Sequence, residues 1–403
     1  MRAKKIFYLL ITLIILLSSC AGANIDKILK QGTVLQEDYK TTIPFTYDSI
    51  NDWIVLEVEI RGKTYNFILD TGSSNIITKE LAAELDVKVL GAEEIKDTNA
   101  TSNTTEFTRV NSIKIGGINF QNTIAGIVDL NKTTALSCAK IDGLIGSNLM
   151  RKAIWDFDFQ NQLITITSGE DKLDIPTQTI DTRLYIGAAG VPAVTLEING
   201  EKVLNNTVDF GNGGNNILRI DRFQEQLDAN LISKYVKGSK KSFGAFGHTE
   251  NQPYYYTIID EFKIGNHTVN NLITVVDDGY SNKLGLAFFK NYRIILNWKK
   301  KRMRMIEVTK AGNNSYETYG FSILYEGEET YVNGIVEGSS ASQYLIQGDK
   351  ILHINDTSYV NNTKEQRCAN LANDFGKETG SLSITILREG KELTFEILKT
   401  KLL

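Results

Sequence analysis

From residue 46 to about 308 the apolar residues come in short runs that read as strands. Trp53-Ile54-Val55-Leu56-Glu57-Val58-Glu59-Ile60 alternates in part between apolar and polar, as does Gln162-Leu163-Ile164-Thr165-Ile166-Thr167. A period of two suits strands with one buried face. Phe67-Ile68-Leu69 instead runs apolar without a break and stops at Asp70-Thr71-Gly72-Ser73-Ser74. That pattern predicts a buried strand turning sharply, with Asp70 placed where the strand runs out. Thr78 to Asp86, with Leu81 and Leu85 four apart, predicts a short helix after this turn, and Ile220 to Ala229 a similar one later. Two polar stretches, Lys96 to Glu106 and Gly238 to Tyr256, read as hairpins over a cleft.

The pattern also repeats. Adding 139 to Asp70 gives Asp209, within Asn206-Thr207-Val208-Asp209-Phe210-Gly211. The same offset carries Gly146 onto Gly285, Asp158-Phe159-Gln160-Asn161 onto Asn297-Trp298-Lys299-Lys300, and Ile164 and Ile166 onto Met303 and Met305. Upstream, Glu59-Ile60-Arg61-Gly62 has its counterpart in Glu197-Ile198-Asn199-Gly200. Two divergent copies of one β-rich unit account for these matches together. Each copy ends a strand in an aspartate, so the chain holds two carboxylates in equivalent places.

The ends of the chain differ from this middle. Arg2, Lys4 and Lys5 precede an apolar stretch, Ile6 to Leu17, too short to span a bilayer comfortably as a permanent helix. It closes on Leu17-Ser18-Ser19-Cys20, which resembles a bacterial lipoprotein signal with lipidation at Cys20. Residues 21–45 read as a polar tether. Without the three basic residues of the leader, 41 basic face 48 acidic side chains, a net charge near −7. Nothing there favours nucleic acid, which would call for a basic face. The cluster Lys299 to Lys301 with Arg302 and Arg304 reads as a solvated hairpin. After Cys20 only Cys138 and Cys368 remain, in separate regions, and they imply no disulfide framework. His248, His267 and His353 are scattered without ligand spacing, so neither metal nor cofactor is expected.

Phe67 to Ser74 resembles the active-site signature of the pepsin and retropepsin clan of aspartic proteases, and the repeat supplies its second half. The resemblance implies a mostly β, bilobal pepsin-like fold in which Asp70 and Asp209 are the catalytic pair. Thr71, Gly72, Ser73, Gly211 and Asn212 would support the two active-site loops. Both copies lie in one chain, so a monomer suffices and the substrate would be a peptide or unfolded protein. Two carboxylates so close share one proton; the ionised member takes a proton from water while the other polarises the scissile carbonyl. In the family a Thr or Ser follows each Asp, and the two hydroxyls lock the lobes together. Here Phe210 stands in the second place. One side of that lock is missing, which leaves open a catalytically inactive peptide-binding scaffold. Asp209-Phe210-Gly211 also matches the metal-binding triplet of protein kinases, but no nucleotide loop accompanies it.

From about residue 312 the character changes. Tyr319-Gly320-Phe321-Ser322, then Val336-Glu337-Gly338-Ser339-Ser340-Ala341 and Ile346-Gln347-Gly348-Asp349-Lys350-Ile351, resemble a PDZ domain. The resemblance makes Tyr319, Gly320, Phe321 and Ser322 the loop that holds a peptide's C-terminal carboxylate. The expected organisation is a signal peptide at 1–20, a tether at 21–45, lobes at 46–175 and 176–310, and a PDZ domain at 311–403. The expected location is the bacterial cell envelope, lipid-anchored on the periplasmic side or at the outer membrane.

Overall fold

The computed structural model describes residues 25–403 apart from Asn215, Asn313, Asn314 and Asp374. Cys20 therefore lies outside the described residues. In the first lobe the strand Lys63–Asp70 sits inside a sheet, antiparallel to Ile54–Ile60 and parallel to Gly143–Gly146. Its apolar end is there because Phe67, Ile68 and Leu69 are all buried, with side chains on both faces of the sheet. The second lobe repeats this with Glu201–Asp209 between Pro192–Ile198 and the parallel Lys283–Gly285. Asp70 lies level with Gly146, and Asp209 with Gly285. Both residues of the second pair stand 139 beyond the first (209 − 70 and 285 − 146), so the sequence repeat is a structural one. The two expected helices form at Lys79–Glu84, capped by the Thr78 hydroxyl, and at Ile220–Asp228.

A six-stranded sheet joins the lobes. At its centre Ile154–Asp158 runs antiparallel to Tyr292–Asn297, with Asp156 paired to Ile295. Those two residues are also 139 apart (295 − 156), so the pseudo-twofold axis passes between them. Outward on one side come Leu163–Thr167 and Lys40–Pro44; on the other come Arg302–Glu307 and Ile180–Arg183. Part of the expected tether thus belongs to the fold. Lys40–Pro44 pairs along the whole length of Leu163–Thr167 as the edge strand of the sheet, and Ile43 packs on the core. Five residues with one fully apolar side chain carry too short a pattern to announce that strand.

The C-terminal unit has a core of its own, built from residues including Phe321, Tyr325, Val332, Ile351, Ile384 and Ile397. Its helix Lys364–Ala372 starts with a complete capping box between Thr363 and Gln366. This unit is attached to both lobes. Glu329–Val336 pairs with the lobe-2 strand Tyr235–Lys240 through Gly238 and Ser239, which makes one continuous sheet. Asn333 completes the seam, its amide accepting the Lys241 N–H at 2.9 Å and donating to the Lys241 carbonyl at 2.8 Å. On the other side Cys138 and Cys368 form a disulfide, Cα to Cα 5.4 Å, between Thr134–Cys138 of lobe 1 and the helix Lys364–Ala372. This corrects the reading that the two cysteines stand apart. They are 230 residues distant in sequence, and only the docking of the C-terminal unit across both lobes brings them together.

Candidate active site

Asp70 and Asp209 end their strands at the interface between the lobes. The residue two beyond each aspartate is a glycine, and its N–H turns back to the carboxylate: Gly72 to Asp70 Oδ1 at 2.8 Å, Gly211 to Asp209 Oδ1 at 3.0 Å. Each glycine also faces the opposite carboxylate. A Cβ on Gly72 would fall 2.7 Å from Asp209 Cγ, and one on Gly211 would fall 2.4 Å from Asp70 Cγ. No side chain fits either position, which is why the motif needs glycine there. The geometry sets the two carboxyl groups against each other. Burial and the neighbouring Asp209 charge push the Asp70 carboxyl up to about 7; the Ser73 hydroxyl, the Gly72 N–H and Lys283 oppose that rise.

Half of the lobe lock survives, and it is complete in itself. The buried Thr71 hydroxyl donates to the Val208 carbonyl at 2.6 Å and accepts the Phe210 N–H at 2.9 Å. Losing it would strand two buried backbone groups at about 1–3 kcal/mol each. Phe210 takes part through its backbone, while its ring packs edge-on against Phe157, Phe159 and Phe289 at 5.0–5.4 Å between centroids. Hydrophobic packing stands where the mirror-image hydroxyl would be. A second tie crosses the interface from Trp53, whose indole N–H donates to the Gly211 carbonyl at 2.8 Å. Sequence reading placed Trp53 in a strand and gave it no part in the site.

The outer oxygens of the pair differ. Ser73 lies beside Asp70 while its hydroxyl donates to the Ser74 carbonyl at 3.1 Å. Asn212, its counterpart, does not reach Asp209 with its side chain; its Oδ1 accepts the Gly214 N–H at 3.2 Å. The Asp209 partner is Lys283, with Nζ 3.3 Å from Oδ2. Subtracting 139 from 283 gives Leu144, so the first copy has no cation in that place. The charge was legible two residues before Gly285, in Lys283-Leu284-Gly285, where only the glycine entered the repeat.

Lys283 also donates to the Thr98 hydroxyl in the turn between Val89–Lys96 and Ser102–Ile115. That hairpin tip crosses to lobe 2. Its Thr98 carbonyl accepts the Tyr280 N–H at 3.0 Å, and Asp97 Oδ2 accepts the Phe246 N–H at 3.2 Å. The two polar hairpins of the copies therefore meet, one lysine side chain away from Asp209.

In the C-terminal unit Gly320 holds φ +88°, and its N–H is taken by the Thr318 hydroxyl at 2.9 Å. Its carbonyl accepts the Val336 N–H at 2.9 Å, and Ser322 Oγ accepts the Gly334 N–H at 3.0 Å. Among the described residues no three His, Cys, Asp or Glu side chains cluster as a metal site.

Comparison with known proteins bears on the first lobe. Residues 56–149, which include Asp70 and Gly146, match the family model described as aspartyl protease. No curated protein matches the sequence. Among solved structures, conglutin gamma, a basic 7S globulin from lupine seeds, is 10% identical with a TM-score of 0.41, covering 67% of this chain and 95% of its own. Basic 7S globulin from soybean is 10% identical with a TM-score of 0.40, covering 67% and 94%. The chain is mostly β and has a pepsin-like architecture of two related lobes, the first of which carries an aspartyl protease match.

Proposed function

We propose that this protein is an aspartic endopeptidase that cuts extended peptide segments. The observation that carries the reading is the opposed pair, each carboxylate held by its own loop amide and facing the other loop's glycine. A water between them attacks the scissile carbonyl carbon. Its proton goes to the ionised carboxylate while the protonated one gives its proton to the carbonyl oxygen, forming a neutral gem-diol. In the second step the first carboxyl protonates the leaving nitrogen, a diol hydroxyl returns its proton to the other, and the C–N bond breaks. The dyad ends as it began. The rival reading, a peptide-binding scaffold, draws on Phe210, on the bridged hairpins and on the lysine at Asp209. Incubating the whole chain with an unfolded protein separates the two. New N-termini, read by mass spectrometry and lost in Asp209→Asn, are expected; none from the wild type would leave the scaffold.

The C-terminal unit is proposed as a PDZ domain that takes peptide C-termini. Among the described residues Phe321–Glu326 pairs only with Glu329–Val336, so its other edge is open to an added strand. Phe375, just past the helix, stacks on Phe321 with centroids 5.0 Å apart and gives that end an apolar wall. A bound carboxylate would take the Gly320 N–H from Thr318. Peptides with a free apolar C-terminus are expected to bind the whole chain more tightly than amidated ones, because charge-assisted hydrogen bonds are lost on amidation. Equal binding of both would make the unit a structural cap.

The lipid anchor at Cys20 and an envelope location remain part of the proposal, and the Cys138–Cys368 disulfide fits an oxidising compartment. Wild-type protein should partition with membranes and Cys20→Ser should not. Recovery of the wild type in the soluble fraction would remove the anchor. With both aspartates in one chain, the working form is proposed as a monomer.

A further inference from the structure

We propose that Lys283 gives the two aspartates unequal roles, holding Asp209 as the carboxylate that receives the water proton and leaving the dyad's own proton on Asp70. The roles in hydrolysis rest on the endopeptidase reading; the asymmetry of charge does not. Each carboxylate has the same first partner, one loop N–H on Oδ1. They part at the second. Asp209 Oδ2 meets an ammonium at 3.3 Å, whereas the side chain beside Asp70 is the neutral Ser73 hydroxyl.

Strand geometry explains why the lysine pairs directly with Asp209 and acts on Asp70 only through its charge. Lys283 and Gly285 are two apart on one strand and share a face of the sheet. Gly285 lies level with Asp209, so the lysine chain runs alongside that carboxylate. In the first lobe the same register position, beside Asp70, holds Leu144. The pair is enclosed, with side-chain exposures of 12% for Lys283 and 9% for Asp209. An opposite charge at that distance with little water between them favours the ionised carboxylate far more than a surface pair would.

Other charges near the site are already engaged. Asp97, on the hairpin above, accepts backbone N–H groups from Phe246, Asn99 and Thr101. Arg219 bonds Asp221 and the Gly279 and Tyr280 carbonyls, with Asp277 and Asp278 beside it. Lys290 pairs with Asp52. Among the described residues Lys283 is the cation paired to the dyad.

Removing the ammonium raises both carboxyl titrations, that of Asp209 more. The acid limb of activity, set by Asp209, should therefore climb toward the alkaline limb set by Asp70, narrowing the working range. The test reads the carboxyl groups themselves, so it does not require turnover. The full chain is labelled with ¹³Cγ aspartate, and the two resonances are assigned by their loss in Asp70→Asn and Asp209→Asn. Titration of wild type, Lys283→Leu, Lys283→Gln and Lys283→Arg follows. Leucine is what the first lobe carries in this place, and glutamine keeps a polar head should leucine disturb the fold. The Asp209 carboxyl should titrate about 1–3 pH units higher in the neutral variants and return toward wild type in Lys283→Arg. An Asp209 titration that is the same in all four proteins, or a wild type in which Asp70 ionises first, would overturn the assignment. Hydrolysis is assayed on the same samples. A carboxyl shift without any hydrolysis would uphold the charge assignment and reject the endopeptidase; hydrolysis without a shift would do the reverse.

Discussion

Asp70→Asn should abolish hydrolysis and, above neutral pH, make the protein more stable than the wild type. The first effect follows from the chemistry: an amide neither gives a proton to the carbonyl oxygen nor shares one with Asp209. The second follows from the same carboxyl group. Its titration is pushed up to about 7 in the fold, first by burial and then by the Asp209 charge, from an ordinary value of 3.8. A raised carboxyl means the folded chain holds that proton more tightly than the unfolded chain does. The stability this brings is full below about pH 4 and is lost as pH rises through about 7. Asparagine never ionises, so it keeps what the wild type gives up. Asp70 retains partial exposure toward the cleft, which trims the gain to about 2–4 kcal/mol at pH 8. Near pH 4 the two proteins should unfold at similar denaturant concentrations. A gap of the same size at both pH values would separate the stability effect from the titration. Residual hydrolysis in the variant would remove Asp70 from the mechanism.

Much of this arrangement was legible in the residues, and what was not has identifiable physical causes. The strand leading to Asp70 announced itself because three consecutive apolar residues stop at an Asp-Thr-Gly turn signal, the pattern of a strand buried on both faces. The second aspartate was found by the repeat, and the repeat survives because a pseudo-twofold fold needs equivalent residues at equivalent depth. Local packing rules thus carried the lobes and the pair. Three features escaped because their causes are not local. Trp53 reads as one more apolar residue until the second lobe arrives to accept its N–H. Lys283 breaks an apolar strand end, and its meaning depends on which aspartate lies level with Gly285. The disulfide depends on where a third unit docks.

That disulfide carries the other large effect. Removing it through Cys138→Ser with Cys368→Ser should lower stability by about 2–4 kcal/mol, since a cross-link spanning so long a loop restricts the unfolded chain strongly. The 230-residue separation places the whole of lobe 2 and the end of lobe 1 inside the loop. The loss should also be uneven in space. On the lobe-2 side the C-terminal unit keeps the strand pairing of Gly238 with Val336 and both hydrogen bonds of Asn333. On the lobe-1 side, among the described residues, the joint between Thr134–Cys138 and Lys364–Ala372 has no strand pairing to replace the covalent bond, and the helix has no fully buried residue. Hydrogen exchange should therefore quicken in residues 134–138 and 364–372 while 329–336 stay protected. The consequence reaches the proposed peptide slot, because the helix that flanks it would gain freedom to move. Equal exchange in both attachments would mean that the unit detaches as one body and that the continuous sheet contributes little. Unchanged stability in the double variant would show that docking, not the bond, holds the three parts together.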